Sequence, residues 1–204
     1  MKRIIKISLI LLLVGMAVIA AVPFLKEKRA ERKYENEFKN IQESVTEKKK
    51  NVSNLMKKNE DCIGYVEIPG TIISYPVMQT KDNPDFYLNH DFNRNYSFYG
   101  TPYLSAYCDV KKSDNLIIYG HNINGGKMFG ALEQYKDKDF FNKHRKIYFT
   151  TDKKREYEVF AVMSVNIHEL EYWKFVMARD AKEYDEFVDK VEEHSLWRQG
   201  DKPK

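Results

Sequence analysis

A run of 19 uncharged residues near the N-terminus constrains this chain more than any other feature. It extends from Ile7 to Leu25, follows three basic residues, and is apolar on all sides. About 20 such residues cross a lipid bilayer as a helix, whereas a helix on the core of a globular protein keeps a polar face. The run therefore predicts a membrane-targeting segment, and any globular fold must form from the residues after it.

The run allows two interpretations. Small residues at Val18 and Ala20 fit a signal peptide that is cleaved after Ala20. The apolar stretch continues through Phe24 and Leu25, which is longer than a usual signal-peptide core and favours a signal-anchor over residues 1–25. Basic residues stand on both sides of the run, so the charge pattern alone leaves the orientation of the span open.

The positive charge is concentrated in the N-terminal part. Residues 1–60 hold 14 Lys or Arg against 7 Asp or Glu, and the other 144 residues hold 20 against 23. A nucleic-acid-binding domain carries a basic patch on its folded part. The mildly acidic remainder argues against nucleic acid as a partner.

A helical stalk is predicted for residues 26–60. Apolar residues recur there at a spacing of three and four, which is typical of one helix face packed on a neighbour. They are Phe38, Ile41, Val45, Val52 and Leu55.

From Ile63 onward the pattern is that of a mainly β domain with helical decorations, which we assign to residues 61–204. Residues 63–79 are rich in β-branched and aromatic residues around a Pro69-Gly70 turn signal. The further predicted strands are Tyr103–Ala106, Asn115–Tyr119, Lys146–Thr150 and Glu156–Val165. The predicted helices are Met128–Tyr135, Asp137–Asn142 and Asp180–Leu196, the last with Tyr184, Phe187, Val188 and Val191 on one face.

His121 is the candidate catalytic residue that the sequence singles out. It follows an apolar strand, stands next to Gly120 and precedes a Gly-rich turn, so it is presented at a strand end. A histidine in such a place can act as acid or base near neutral pH. The plainer interpretation is a polar strand end without a catalytic role.

Cysteines and histidines otherwise indicate little chemistry. Cys62 and Cys108 are the two cysteines of the chain, and neither stands in a local nucleophile signature. They are too few for a Cys-rich zinc site, and the five histidines lack metal-ligand spacing. We therefore expect no metal and no cofactor, and a Cys62–Cys108 disulfide stays open.

The chain resembles the class B sortases, which are membrane-anchored cysteine transpeptidases of Gram-positive bacteria. The resemblance rests on residues 63–79 (IGYVEIPGTIISYPVMQ), 82–92 (DNPDFYLNHDF) and 114–144, which contain YGHN. It implies a sortase-type β-barrel, with His121 as the catalytic histidine. It also implies an extracellular domain on a single N-terminal anchor in the cell membrane.

The resemblance implies a mechanism and partners. A cysteine thiolate attacks a sorting signal near the C-terminus of a secreted surface protein, and an amine from peptidoglycan resolves the thioester. The histidine protonates the leaving amine, and an arginine steadies the oxyanion.

The chain departs from the family pattern at its C-terminal end. The family cysteine closes a T-L-x-T-C segment after the helix at 180–196, and the arginine follows on the next strand; residues 1–204 contain neither segment. Arg198 stands too early to replace the family arginine, and Cys108 precedes His121. We expect this chain as written to lack the last barrel strands and to be inactive. The alternative is a non-catalytic, membrane-anchored pseudo-sortase that binds peptides.

Overall fold

A computed structural model describes residues 21–36, 39 and 52–200, in two compact units, Met1–Ile41 and Gln42–Lys204. In the first unit, helix α1 covers residues 21–36. None of the helices in the described ranges is both long and apolar enough to cross a bilayer. Most of the predicted span, residues 7–20, lies outside those ranges, so the anchor stays a prediction.

The second unit begins, in its described part, with the short helix α2, Val52–Lys58. Val52 and Leu55 are buried, which places these two members of the predicted apolar stripe in the core of the unit. The other three members of the stripe lie outside the described residues. Directly after α2, the Asn59 side chain donates hydrogen bonds to the Tyr87 hydroxyl (2.9 Å) and the Phe92 carbonyl (2.6 Å). These bonds tie the end of α2 to the loop that contains residues 85–99.

Ten short strands lie in the described part of the second unit. In chain order they are β1 Cys62–Glu67, β2 Ser74–Met78, β3 Tyr103–Leu104, β4 Ile118–Tyr119, β5 Asn122–Ile123, β6 Lys127–Met128, β7 Lys146–Thr150, β8 Lys154–Glu158, β9 Ala161–Met163 and β10 Ser195–Arg198. Six of them form one sheet in the order β4-β3-β2-β1-β7-β8. The pairs β5–β6 and β9–β10 form two-stranded sheets. Neighbouring strands of the large sheet are antiparallel, except for the parallel pair β2–β3.

The central hairpin confirms the predicted turn at Pro69-Gly70. Gly70 has a φ of +79°, a conformation that favours glycine, and the Ile68 amide donates to the Ile73 carbonyl across the turn (2.9 Å). The strands on either side bury most of their apolar side chains, and Val77 and Met78 have no exposed surface. Burial of such side chains is the main favourable term in folding, so this hairpin forms the centre of the core.

Three of the helical segments correspond to helices predicted from the sequence. A 3-10 helix covers Phe129–Lys136, and helices α3 and α4 cover Lys138–Lys143 and Ala181–Glu193. Asp137 caps α3 by accepting from the Phe140 amide (2.7 Å), and Asp180 caps α4 by accepting from the Glu183 amide (2.9 Å). The helices predicted to start at Met128, Asp137 and Asp180 are confirmed to within a few residues at their starts, as is the fold class of a mainly β domain.

Four predicted elements are wrong in their extent. Residues 156–165 form the end of β8 and the separate strand β9, because β9 pairs with β10 in a two-stranded sheet of its own. Helix α4 ends at Glu193, not Leu196, because Ser195 and Trp197 pair with β9. Strands β3 and β4 are also shorter than predicted.

The long connection from β9 to α4 contacts the residues just before β4. The Asn115 amide donates to the Val176 carbonyl (3.0 Å), and the Asn115 side chain donates to the Phe175 carbonyl (2.8 Å). The Phe175 ring stacks on Phe187 of α4 with centroids 4.0 Å apart. The connection therefore lies beside the β4 edge of the sheet, where the predicted catalytic histidine follows.

Candidate active site

His121 lies between β4 and β5, two residues beyond the end of β4, which is an edge strand of the large sheet. Its side chain is half-buried, and its Nε2 atom lies 2.8 Å from the carbonyl oxygen of Leu88. Its own carbonyl accepts a hydrogen bond from the Phe129 amide (3.0 Å). The ring and the backbone of His121 are therefore each held by a different segment.

The local sequence explains how the chain reaches this geometry. Gly120 allows the Phe129 ring to lie against the backbone, because a Cβ atom at this position would be 2.6 Å from the ring. The β5–β6 hairpin turns through Gly125 and Gly126, whose φ angles are +78° and +73°. Met128, at the end of β6, has a φ of +52°, which costs about 1–3 kcal/mol in a residue other than glycine. The β5–β6 hairpin thus brings Phe129 back beside His121.

Tyrosines form the surroundings of β3 and β4. The rings of Tyr103 and Tyr119 lie 5.4 Å apart, and the Tyr103 hydroxyl donates to the Asp85 carboxylate (3.0 Å). Burial is the main cause that raises the pKa of both phenols, so they stay neutral at physiological pH. Tyr103 is buried and Tyr119 half-buried, so they add aromatic packing and no charge beside the segment that leads to His121.

Cys62 is a buried thiol that lacks the properties of a nucleophile. It is 1% exposed, and its Sγ atom lies 3.6 Å from the Gly64 carbonyl. Burial raises the pKa of Cys62 to about 12 from an ordinary value of 9.0. A nucleophilic cysteine needs a lowered pKa and access to solvent, and Cys62 has neither.

Cys108 is also buried, with 1% of its surface exposed. Its Sγ atom lies 3.4 Å from the Asn115 carbonyl and 3.4 Å from the Ile117 amide. Burial is the main cause that raises its pKa as well. Both cysteines are free thiols, so the possible disulfide between them does not form.

We expect neither thiol to react in the folded chain. At about pH 8, the pKa of Cys62 gives a thiolate fraction roughly a thousandfold below that of an ordinary cysteine. Iodoacetamide followed by mass spectrometry should label both sites in denaturant and leave both unlabelled without it. Rapid labelling of Cys108 in the native protein would contradict the burial of its thiol and would reopen its candidacy as nucleophile.

Arg198 does not stand in for a catalytic arginine. It lies on β10, where its guanidinium forms an ion pair with Glu192 (3.0 Å) on the exposed surface. Over the described residues, no group of three or more His, Cys, Asp or Glu side chains is placed to hold a metal ion.

The sequence did not predict two contacts of His121, the one with the Leu88 carbonyl and the one with the Phe129 amide. Leu88 stands inside the matching segment 82–92, but a backbone acceptor leaves no signature in side-chain identity. Phe129 stands at the start of a predicted helix and was assigned no role. The signal available was Gly120 itself, because a glycine beside a strand end often marks close approach of another group.

Comparison with known proteins identifies the family of the domain that contains this site. Residues 66–190 match the sortase domain family. Sortase B of Staphylococcus aureus is 29% identical over 205 residues, which cover 96% of this chain and 83% of that protein. Sortase B of Listeria monocytogenes is 32% identical over 149 residues, which cover 70% of this chain and 58% of the relative.

The fold agrees with these matches. A solved S. aureus sortase B–substrate complex superposes with a TM-score of 0.77 at 24% identity, covering 85% of this chain and 83% of that one. The curled, half-barrel sheet of the second unit is thus of the sortase type. The chain belongs to the sortase family, and its relatives place it in class B.

Proposed function

We propose that this chain binds the C-terminal sorting signal of secreted surface proteins for attachment to peptidoglycan. The observation that carries the proposal is His121, which is held beyond an edge strand within the region that matches the sortase domain. The related S. aureus protein is seen with a substrate bound, which supports peptide binding by this fold.

The proposed chemistry is acyl transfer. A cysteine thiolate attacks the carbonyl carbon of the scissile peptide bond, and an arginine stabilises the oxyanion. As the C–N bond breaks, protonated His121 gives a proton to the leaving amine, and a thioester remains. A peptidoglycan amine then attacks the thioester, His121 takes its proton, and the thiolate is released with a new amide bond formed.

The 204 residues do not supply that thiolate. Cys62 and Cys108 are the two cysteines in the sequence, and both are buried with raised pKa values. We therefore propose that residues 1–204 by themselves bind a sorting peptide without cleaving it. The same observation favours the second candidate, a non-catalytic peptide-binding pseudo-sortase.

Peptide binding can be separated from cleavage in one experiment. The full chain in detergent micelles is titrated against a fluorogenic peptide that carries an Asn-Pro-x-Thr-x motif, with a scrambled peptide as control. We expect saturable binding at least about tenfold tighter for the motif peptide, which corresponds to about 1.4 kcal/mol, and no thiol-dependent cleavage.

Two outcomes would contradict this expectation. Thiol-dependent cleavage that disappears in Cys108→Ala would make Cys108 the nucleophile and would overturn the proposed lack of a thiolate. Equal affinity for both peptides without cleavage would overturn sorting-signal binding.

We propose a location outside the cytoplasm, with residues 1–25 as the anchor in the cell membrane. The support is the uncharged run from Ile7 to Leu25 together with the family. Protease treatment of intact cells after removal of the wall should digest the second unit; full protection would contradict this location.

A further inference from the structure

The hydrogen bond of His121 differs from those of three other histidines in the described part of the chain. Those three point Nδ1 at the carbonyl four residues earlier, a local contact within a turn or helix. They are His90 to Phe86 (2.7 Å), His144 to Phe140 (3.0 Å) and His194 to Lys190 (2.8 Å). His121 uses the other ring nitrogen, Nε2, and its acceptor is 33 residues away in sequence.

The acceptor determines which nitrogen of His121 carries a proton. A carbonyl oxygen can only accept a hydrogen bond, so the nitrogen facing Leu88 must be N–H. A neutral imidazole has one N–H, and the hydrogen bond made by one nitrogen sets the state of the other. Neutral His121 therefore has Nε2–H and an unprotonated Nδ1.

We propose that Leu88 locks His121 in the Nε2–H tautomer, so that Nδ1 is the atom that takes and gives protons, and that Gly120 and Phe129 are positioning residues. The role of Nδ1 rests on the proposed function, whereas the tautomer and the clamp do not. In the proposed acyl-transfer steps, which need a thiolate that Cys62 and Cys108 do not supply, Nδ1–H would protonate the leaving amine and Nδ1 would then accept the proton of the incoming amine, while Nε2 stays bound to Leu88.

The acceptor is itself held rigidly. The Leu88 amide donates to the Asp85 carbonyl (3.0 Å) in the short 3-10 helix Phe86–Leu88. On its other side, Gly100 lies so close that a Cβ there would be 2.3 Å from the Leu88 oxygen. The Thr101 amide bonds to the neighbouring Tyr87 carbonyl (2.9 Å). An acceptor confined from two sides gives the ring one preferred orientation.

The clamp on the other side of His121 consists of the Phe129 amide and ring. The amide holds the His121 carbonyl (3.0 Å), and the ring occupies the space that a side chain at position 120 would need. The strained φ of +52° at Met128 directs Phe129 into this place. A methyl group on Gly120 should displace the Phe129 ring and release His121 from the Leu88 carbonyl.

The experiment is side-chain NMR on the full chain, labelled with 15N at histidine, in detergent micelles at a pH where imidazoles are neutral. We expect His121 to show an unprotonated Nδ1 and an Nε2–H proton that exchanges slowly with water. His90, His144 and His194 serve as internal references with the opposite pattern. Free imidazole also favours Nε2–H, so slow exchange of that proton is the decisive observation.

Gly120→Ala tests the clamp, and Gly64→Ala is its matched control. Gly64 lies on β1, and a Cβ there would be 2.8 Å from the Phe149 ring of β7 and 2.8 Å from the Thr150 carbonyl oxygen. We expect Gly120→Ala to accelerate Nε2–H exchange of His121 at least tenfold and to leave the reference histidines unchanged, whereas Gly64→Ala leaves His121 as in the wild type.

The outcomes separate the parts of the proposal. A protonated Nδ1 in neutral wild-type His121, or rapid exchange of Nε2–H, would overturn the tautomer lock. Unchanged exchange in Gly120→Ala, or an equal change in Gly64→Ala, would overturn the positioning role. None of these readouts depends on turnover, so a failure of the proposed function appears separately, in the peptide-binding experiment.

Discussion

Alkaline pH is expected to unfold the second unit cooperatively as the pH rises from about 10 towards 12. Burial raises the pKa of Tyr65, Tyr75 and Tyr135 to about 12 from an ordinary value of 10.0, and it raises the pKa of Tyr87 and Tyr103 further in the same direction. All five side chains are at most 6% exposed.

Because the pKa values are raised in the folded state, the free energy of unfolding falls as the pH rises. Below pH 10, folded and unfolded phenols are both protonated, and the stability is fully present. Between pH 10 and the folded pKa values, the unfolded chain loses protons that the folded chain keeps, so each phenol lowers the free energy of unfolding by about 1.4 kcal/mol per pH unit. The combined loss from five such groups approaches the entire free energy of unfolding of a typical domain, which is about 5–15 kcal/mol.

Circular dichroism and tyrosinate absorbance, recorded together against pH, measure this effect. We expect both signals to change in one transition, because the buried phenols ionise when the domain opens. Tyr65→Phe should reduce the slope of unfolding free energy against pH by about one proton, although it also removes the 2.8 Å contact with the Ser74 hydroxyl. An unfolding free energy that stays constant from pH 10 to 12 would contradict the prediction.

Gly100→Ala is expected to lower the free energy of unfolding of the second unit by about 4 kcal/mol or more. Gly100 has a φ of +58°, which costs a residue with a side chain about 1–2 kcal/mol. In addition, its Cβ would lie 2.3 Å from the Leu88 carbonyl oxygen and 2.5 Å from that of Tyr87. Both contacts are with backbone, which cannot move aside as a side chain can.

Gly125→Ala separates the two causes. Its φ of +78° imposes the same kind of strain, but nothing lies within 4 Å of its Cβ. We expect it to cost about 1–2 kcal/mol in urea unfolding. Equal losses in the two variants would show that backbone strain alone is responsible. Gly100→Ala should also speed the exchange of the His121 Nε2–H proton, because it displaces the Leu88 carbonyl.

Local chemistry explains which elements could be predicted. The β-branched and aromatic residues on both sides of Pro69-Gly70 indicated strands joined by a turn, because such residues favour strands and Pro-Gly favours a turn. The apolar face of Tyr184, Phe187 and Val191 indicated α4, because residues three and four apart lie on one side of a helix. The position of His121 beyond a strand followed from the apolar run before it and the glycines around it.

The limits of α4 and of β8 could not be predicted, because distant partners decide them. Trp197 is compatible with a helix, but it pairs with Val162 and donates from its indole nitrogen to the Lys136 carbonyl (3.2 Å). Pairing with β9 satisfies the backbone groups of residues 195–198, and a longer helix would have left β9 without that partner.

For the site, the sequence determined the residue type and its place at a strand end, and the resemblance to the sortases indicated its role. The tertiary structure decided what His121 can do there. The Leu88 carbonyl, 33 residues earlier, selects the ring nitrogen that is protonated. Burial, and not spacing, decides that Cys62 and Cys108 are poor nucleophiles. The physical reason is the same in each case: hydrogen-bond acceptors and desolvation come from residues that only folding brings together.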